Sequence, residues 1–365
     1  MKVKEVIAFL EGEAPTALQE GYDNAGLITG TGQEEIKGVL FSLDCTEVVV
    51  EEAIAKGCNL IVAHHPIVFK GLKRFNGRNY VERTIINAIK NDICIYAIHT
   101  NLDNVKHGVN ARLSALIGLE NTSILAPKKG RLMKLTTFVP MEHQQMVLEA
   151  LSAAGAGNIG NYSECSFMVE GEGSFKPNTE AKPFIGEQGA LEKVKETRIE
   201  VILPDYASGK VLSALKNAHP YEEVAYYLQA LENTNQDIGS GMVGDLKEAM
   251  EVKDFLKHLK EVLNLQVIKY TPSVQKEVKR VAVCGGSGGF LLNNAKAAGA
   301  DVFVTADYKY HEYFDAEQQI MIADVGHYES EIHTKDLLYQ WVSGRFSELA
   351  CYSSEVNTNP VSYFI

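Results

Sequence analysis

The segment Leu60-Ile61-Val62-Ala63-His64-His65-Pro66 constrains the fold of this chain more than any other. Four apolar residues in a row read as a strand buried on both faces, the kind that fills a parallel sheet. Pro66 disfavours helical geometry at His65, so the backbone stays extended to the strand's end. The two imidazoles therefore come to the carboxyl edge of a sheet, where open α/β folds place their ligands. Neighbouring strand residues point to opposite faces. The pair can serve one site only if the chain bends there, or if each ring reaches a different metal ion.

The flanking sequence repeats this rhythm. A helix is predicted over 2–11, and Gly38 to Asp44 is a buried strand ending in an acid. A helix over 46–56 follows, with Gly57 placed as its cap. After the opening strand come a helix near 81–90, a strand over 93–98 running into His99-Thr100-Asn101-Leu102-Asp103, and a helix over 108–117. Strands alternating with helices imply βαβ units. Near Ala126-Pro127-Lys128-Lys129-Gly130 the pattern changes. Strand 132–139, helix 142–154, an irregular glycine-rich stretch to about 190, strand 197–203, helix 205–217 and strand 223–230 suggest a βαββαβ, ferredoxin-like α+β unit. From 238 the α/β rhythm resumes, with a helix over 251–263 and a strand over 279–284 ending in Gly285-Gly286-Ser287-Gly288-Gly289. A helix to 298, strand 301–305, a helix around 309–317, strand 320–325 and a long last helix from His327 complete the chain.

Residues Ala55 to His65 align without gaps on Ala297 to Asp307. The strand leading to His99 likewise parallels the strand leading to His327. The expected fold class is therefore α/β, with two related halves, 1–127 and 233–365, forming one metal-binding unit around an insertion, 128–232.

The totals exclude some functions. A formal charge of -12 argues against general nucleic-acid or membrane-surface binding. No apolar run approaches the roughly 18 residues that a membrane span needs. The amphipathic start, with Val3, Val6, Ile7 and Leu10 on one face, is not a signal peptide. The six cysteines contain no CxxC pair, which suits buried free thiols in a reducing cytoplasm.

Four polar strand ends compete for the chemistry: His64-His65, His99 with Asp103, Asp307 with His311, and His327 with Glu331. His327 and Glu331 stand at i and i+4 of a helix and so share a face. Imidazole and carboxylate together suit zinc, iron, manganese or another divalent first-row ion. Histidines pointing apart, with a carboxylate able to bridge, describe two ions better than one. The glycine run matches neither GxGxxG nor a P-loop; a tight turn or an anion contact would each explain it. The basic loop of Lys70, Lys73, Arg74 and Arg78 is either a solvated surface loop or a contact for substrate phosphates. His219-Pro220-Tyr221-Glu222-Glu223 enters a strand within the insertion, where a structural or interface role is expected.

Ala63-His64-His65-Pro66, His99-Thr100-Asn101-Leu102-Asp103 and Gly326-His327-Tyr328-Glu329-Ser330-Glu331 resemble the motifs of the GTP cyclohydrolase 1 type 2 homologue family, the Nif-like dinuclear-metal proteins. Asp23-Asn24-Ala25-Gly26-Leu27, Gly285-Gly286-Ser287-Gly288 and Thr305-Ala306-Asp307 with His311 are similar to further family motifs, although the family often has glycine at the place of Ala306. His219 to Val224 resembles a motif of the PII/CutA-like domain inserted in longer members. The resemblance implies two divalent ions per subunit held by His64, His65, Asp103, His327 and Glu331, with Glu331 bridging. It assigns His65, Asp103 and Glu331 to one ion and His64, His327 and Glu331 to the other. It also implies a homo-oligomer, a toroidal hexamer with the sites facing an internal cavity.

His99, Asp307 and His311 are expected to support the ligands or move protons. The implied reaction is metal-dependent hydrolysis, with activated water attacking C8 of the guanine ring of GTP and His99 or His311 as general acid. A two-metal phosphoesterase and a non-enzymatic metal-binding regulatory or assembly protein are the alternatives. A phosphate-sized basic subsite beside the ions would favour a nucleotide substrate. A neutral or acidic pocket would count against GTP.

Overall fold

A computed structural model describes residues 1–272 and 275–364, which divide into two compact units. The first unit joins Met1–Ala126 to Asp237–Ile365; the second is Pro127–Gln236. The expected insertion, 128–232, is slightly shorter than the second unit.

The first unit contains two sheets with a common plan. In one, the strand order is Gly26–Thr29, Cys94–Ala97, Leu60–Ala63, Val39–Ser42, Cys351–Ser353. The last four are parallel, and Gly26–Thr29 runs antiparallel to Cys94–Ala97. In the other, the order is Lys269–Tyr270, Met321–Asp324, Val302–Thr305, Glu277–Val283, Thr234–Glu251, Leu119–Lys129. Here three strands are parallel, Glu277–Val283, Val302–Thr305 and Met321–Asp324, and as in the first sheet an antiparallel strand, Lys269–Tyr270, lies beside the outer one; Thr234–Glu251 pairs antiparallel on the other side. Leu60–Ala63 and Val302–Thr305 occupy equivalent central places, as their gapless alignment suggests.

The continuous apolar runs are explained by burial on both faces. Val39, Phe41, Leu60, Val62 and Tyr96 pack against Val6 and Leu10 of the helix Val3–Glu13 and Leu338 of the helix Thr334–Arg345. Leu40, Ile61, Ala63 and Ile95 pack on the opposite face, against Val49, Val50 and Ala53 of Glu47–Ala55 and Ile85 and Ala88 of Tyr80–Lys90. Thr46 caps Glu47–Ala55 by accepting the Val49 N–H, and Gly57, at φ +68°, carries the chain out of that helix. In the second sheet, Val302 and Val304 face Phe255 and Leu259, while Phe303 faces Leu292 and Ala295.

The second unit is a four-stranded sheet of order Ser166–Phe175, Glu192–Pro204, Leu132–Pro140, Tyr226–Leu231, with every pairing antiparallel. The helices Gln144–Ala153 and Ser208–Ala218 complete a βαββαβ order. Ser166–Phe175 lies in the stretch expected to be irregular. It is an edge strand with both faces largely exposed, so it carries no apolar alternation to read.

Two further expectations are corrected. The last helix is broken: His327–Glu331 is a short helix, and Thr334–Arg345 follows as a separate one. The segment expected as a helix around 309–317 is a 3-10 helix, Tyr310–Ala316. Among the described residues no helix is long and apolar enough to cross a membrane. All six cysteines are free.

Candidate metal centre

The carboxyl ends of the parallel strands in both sheets deliver polar side chains to one place. The strand Leu60–Ala63 ends before the histidines, and the chain bends at His64 and His65. Strand alternation therefore no longer applies, and the two rings lie with centroids 4.9 Å apart, tilted by 43°. The bend is held by main-chain bonds: His64 N–H donates to Ser42 O at 3.2 Å and His65 N–H to Leu43 O at 2.9 Å. Asp103 ends the short helix Thr100–Asp103 that follows the strand Cys94–Ala97. His327 and Glu331 come from the equivalent position in the second sheet, after Met321–Asp324.

Glu331 lies between the histidines. Its Oε2 is 2.9 Å from His65 Nε2 and 3.0 Å from His327 Nε2, while its Oε1 is 3.9 Å from His64 Nε2. His64 Nε2 is also 3.6 Å from Asp103 Oδ1. Three close groups result: His64, Asp103 and Glu331; His65, His327 and Glu331; and His64, His65 and His99. Each could hold a metal ion. These proximities differ from the partition implied by the resemblance, which set His65 with Asp103 and His64 with His327. The cause is the bend after Ala63, which turns His64 towards Asp103 and His65 towards His327.

Each histidine is oriented through its other nitrogen. His64 Nδ1 donates to Ile98 O at 2.8 Å; a carbonyl only accepts, so Nε2 of the neutral ring carries a lone pair. Burial pushes the His64 pKa down to about 3, which keeps the ring neutral. His65 Nδ1 meets Asp44 at 2.8 Å, and His327 Nδ1 meets Asp307 at 2.7 Å. Burial opposes the charged form of both rings. Hydrogen bonds from His65 to Asp44 and Glu331 outweigh it and raise that pKa to about 10. Bonds from His327 to Glu331 and Asp307 raise that pKa to about 9. Burial also opposes ionisation of Glu331, but its contacts with His327 and His65 hold it well below the usual carboxylate range. Asp103 is pushed upward, by burial first and then by the neighbouring Glu331 charge.

A cation fits this donor set better than the protein's own groups do. His64 Nε2 and Asp103 Oδ1 are shielded from solvent without a hydrogen-bond partner, and they face each other. A buried group left in that state costs about 1–3 kcal/mol. His65 Nε2 and His327 Nε2 likewise face each other at 3.4 Å. Once their Nδ1 protons are donated to Asp44 and Asp307, both Nε2 atoms are lone-pair donors beside a carboxylate oxygen.

The glycine run backs this carboxylate. A Cβ on Gly286, whose φ is +61°, would collide with Glu331 Oε1 and come within 3.2 Å of His327 Cε1. Gly286 N–H donates to Ser330 Oγ at 3.0 Å and Gly285 N–H to Asn110 Oδ1 at 3.0 Å. The tight-turn explanation accounts for the run.

His99 reaches the centre, with a ring nitrogen within 4.8 Å of those of His64 and His65. Its Nδ1 bonds Asp23 at 2.7 Å. Burial opposes ionisation of Asp23, but hydrogen bonds from His99 and Thr100 hold it far below the ordinary carboxylate value. Asp307 takes part through His327 and adopts φ +61°, a conformation that aspartate tolerates better than most residues. His311 does not join them. It is exposed on the 3-10 helix, its ring set against Tyr310 and Phe314, because that turn directs it away from the strand ends.

Asp44 and Asp23 were not singled out as site residues from sequence. Asp44 carried a signal, since it is an acid just beyond the buried strand Val39–Ser42. Asp23 carried none beyond its place in a motif.

A family model described as Duf34/NIF3 (NGG1p interacting factor 3) matches residues 1–360. Proteins called GTP cyclohydrolase 1 type 2 homolog are similar throughout. That of Halalkalibacterium halodurans is 40% identical over 363 residues, covering 98% of each chain. That of Bacillus subtilis is 40% identical over 366 residues, covering 99% of this chain and 98% of its own. Among solved structures, a Bacillus cereus protein related to NIF3 superposes with a TM-score of 0.87 at 39% identity, covering 100% of this chain and 99% of its own. A Staphylococcus aureus protein does so with a TM-score of 0.78 at 31% identity and the same coverage. The chain belongs to the Duf34/NIF3 family.

Proposed function

We propose that this chain binds two divalent first-row ions through His64, His65, Asp103, His327 and Glu331 and catalyses a hydrolysis beside them. The observation that carries this reading is the convergence of imidazole and carboxylate groups around Glu331, above all the unpartnered pair His64 Nε2 and Asp103 Oδ1. Nitrogen and oxygen donors suit zinc, iron or manganese. Bound there, such ions would lower the pKa of water and polarise the group it attacks, which is hydrolytic chemistry.

The chain's own groups supply the rest. Asp44, Asp307 and Ile98 O fix the ligand rings, so little reorganisation is needed on binding. His99, anchored by Asp23 and packed against Phe69, is placed to carry a proton to or from a leaving group. The strand order of the second unit supports its reading as a ferredoxin-like, PII/CutA-like module. Assembly as a hexamer stands as part of the same reading, to be tested by light scattering.

The test is a substrate panel with the full chain loaded with zinc, iron or manganese. The name that the relatives carry puts GTP on it, beside purine nucleosides and phosphate esters. Metal-dependent turnover of one compound, lost in Glu331→Ala, is expected. Equal turnover by wild type and Glu331→Ala would remove the proposal.

A further inference from the structure

We propose that the compound taken by this centre is a planar heteroaromatic ring system carrying no net negative charge; the inference rests on the hydrolytic reading above.

The centre opens into a cavity of about 1260 Å³ within the first unit. Six aromatic side chains line it: Tyr22, Phe69, Tyr80, Phe290, Tyr328 and Tyr363. Four of these are largely exposed, at 75% for Tyr22, 53% for Phe69, 58% for Tyr80 and 71% for Phe290. Large aromatic faces left in water around a cavity are suited to cover a flat ring, by stacking or edge-to-face contact.

The charge of the walls is one-sided. Seven carboxylates line the cavity, those of Asp103 and Glu331 among them, while Lys269 is the one lysine or arginine among the described lining residues. The Lys269 ammonium is itself held by Asp324 at 2.7 Å. Two divalent ions would bring four positive charges, and with Lys269 these still fall short of the seven carboxylates. A polyphosphate would therefore meet a negative surplus, and like charges at close quarters oppose binding. A neutral ring meets no such cost. A cationic ring gains from both the carboxylates and the aromatic faces.

The basic loop does not offset this. Lys70, Lys73, Arg74 and Arg78 do not line the cavity, whereas Phe69 and Tyr80, just outside that loop on either side, do. The loop's end is tied down elsewhere, because Asn76 N–H and Arg78 N–H each donate to Glu82 Oε2 at 3.1 Å. It turns rings rather than cations towards the centre.

The experiment compares equilibrium binding of guanosine, cationic 7-methylguanosine and GTP to the full-length, manganese-loaded protein, with ion content measured in the same samples. The expected order is 7-methylguanosine tightest and GTP weakest, separated by about tenfold or more, or about 1.4 kcal/mol. Added salt should weaken 7-methylguanosine binding and strengthen that of GTP. Phe290→Ala should weaken 7-methylguanosine binding with ion content unchanged. GTP binding as tightly as guanosine, or no binding by any of the three, would overturn the inference. Loss of the ions would instead strike the hydrolytic reading, so the two failures are distinguishable.

Discussion

The Nε2 atoms of His65 and His327 face each other at 3.4 Å, one ring from the edge of each sheet, with Glu331 Oε2 about equally close to both. Two nitrogen donors and a carboxylate oxygen at this spacing are held apart only by protons or by a metal ion. Most of the chain's behaviour at this centre follows from which of the two is present.

Protons and metal compete, so affinity depends on pH. In the metal-free protein the His65 pKa is raised from 6.5 to about 10, and that of His327 from 6.5 to about 9. Metal binding must displace these protons, and its affinity should rise as pH increases through neutrality towards 9. The stability of the metal-free chain should move the other way. A folded-state pKa above the unfolded value gives stability that is fully present below 6.5 and is lost as pH rises through 9 and 10. Thermal unfolding of chelator-treated protein across that range checks the sign, and a rise in stability with pH would contradict it.

Asp44 orients His65 from outside the candidate ligand set. Removing such a partner typically lowers metal affinity by roughly 10–100-fold. Asp44→Ala should show this loss at the ion shared by His65 and His327 while sparing the one at His64 and Asp103. Competition with a coloured chelator resolves the two affinities. Equal weakening of both would show that the sites are not separable in this way.

Gly286 permits the close approach of the Glu331 carboxylate. Gly286→Ala combines a left-handed backbone with a side-chain collision, and should cost on the order of 1–3 kcal/mol of stability. It should also lower ion content, because the carboxylate must move. Gly299→Ala shares the positive φ, but an added Cβ meets nothing within 4 Å there, so that change should destabilise without altering ion content.

His99 separates proton transfer from metal binding. His99→Ala should leave ion content near the wild-type level while lowering kcat by roughly 10²–10⁴-fold on the substrate that the panel identifies. Loss of both together would make His99 a ligand instead.

Much of this centre was legible because strand ends and helix spacing are local. A buried run ending at His64-His65, and His327 four residues before Glu331, place their side chains without knowledge of the rest of the fold. Which of these side chains lie nearest one another was not legible. It turns on a bend of a few degrees of freedom after Ala63, held by main-chain bonds to Ser42 and Leu43, and neither partner is marked by residue type. Asp23 was missed for a related reason: its bond to His99 spans 76 positions and no periodicity reports it. Ser166–Phe175 was missed because an edge strand exposed on both faces needs no apolar pattern. The acidity of the cavity emerges only when Glu20 and Asp307, from separate loops, converge with Glu329 of the short helix His327–Glu331.

The most direct test of the central claim is a calorimetric titration of metal-free protein with zinc and with manganese, with ion content confirmed by mass spectrometry. Two ions per chain are predicted for the wild type, one for Asp103→Ala, one for His327→Ala and none held tightly by Glu331→Ala. A single ion in the wild type, or two retained by Glu331→Ala, would contradict a paired centre bridged by Glu331.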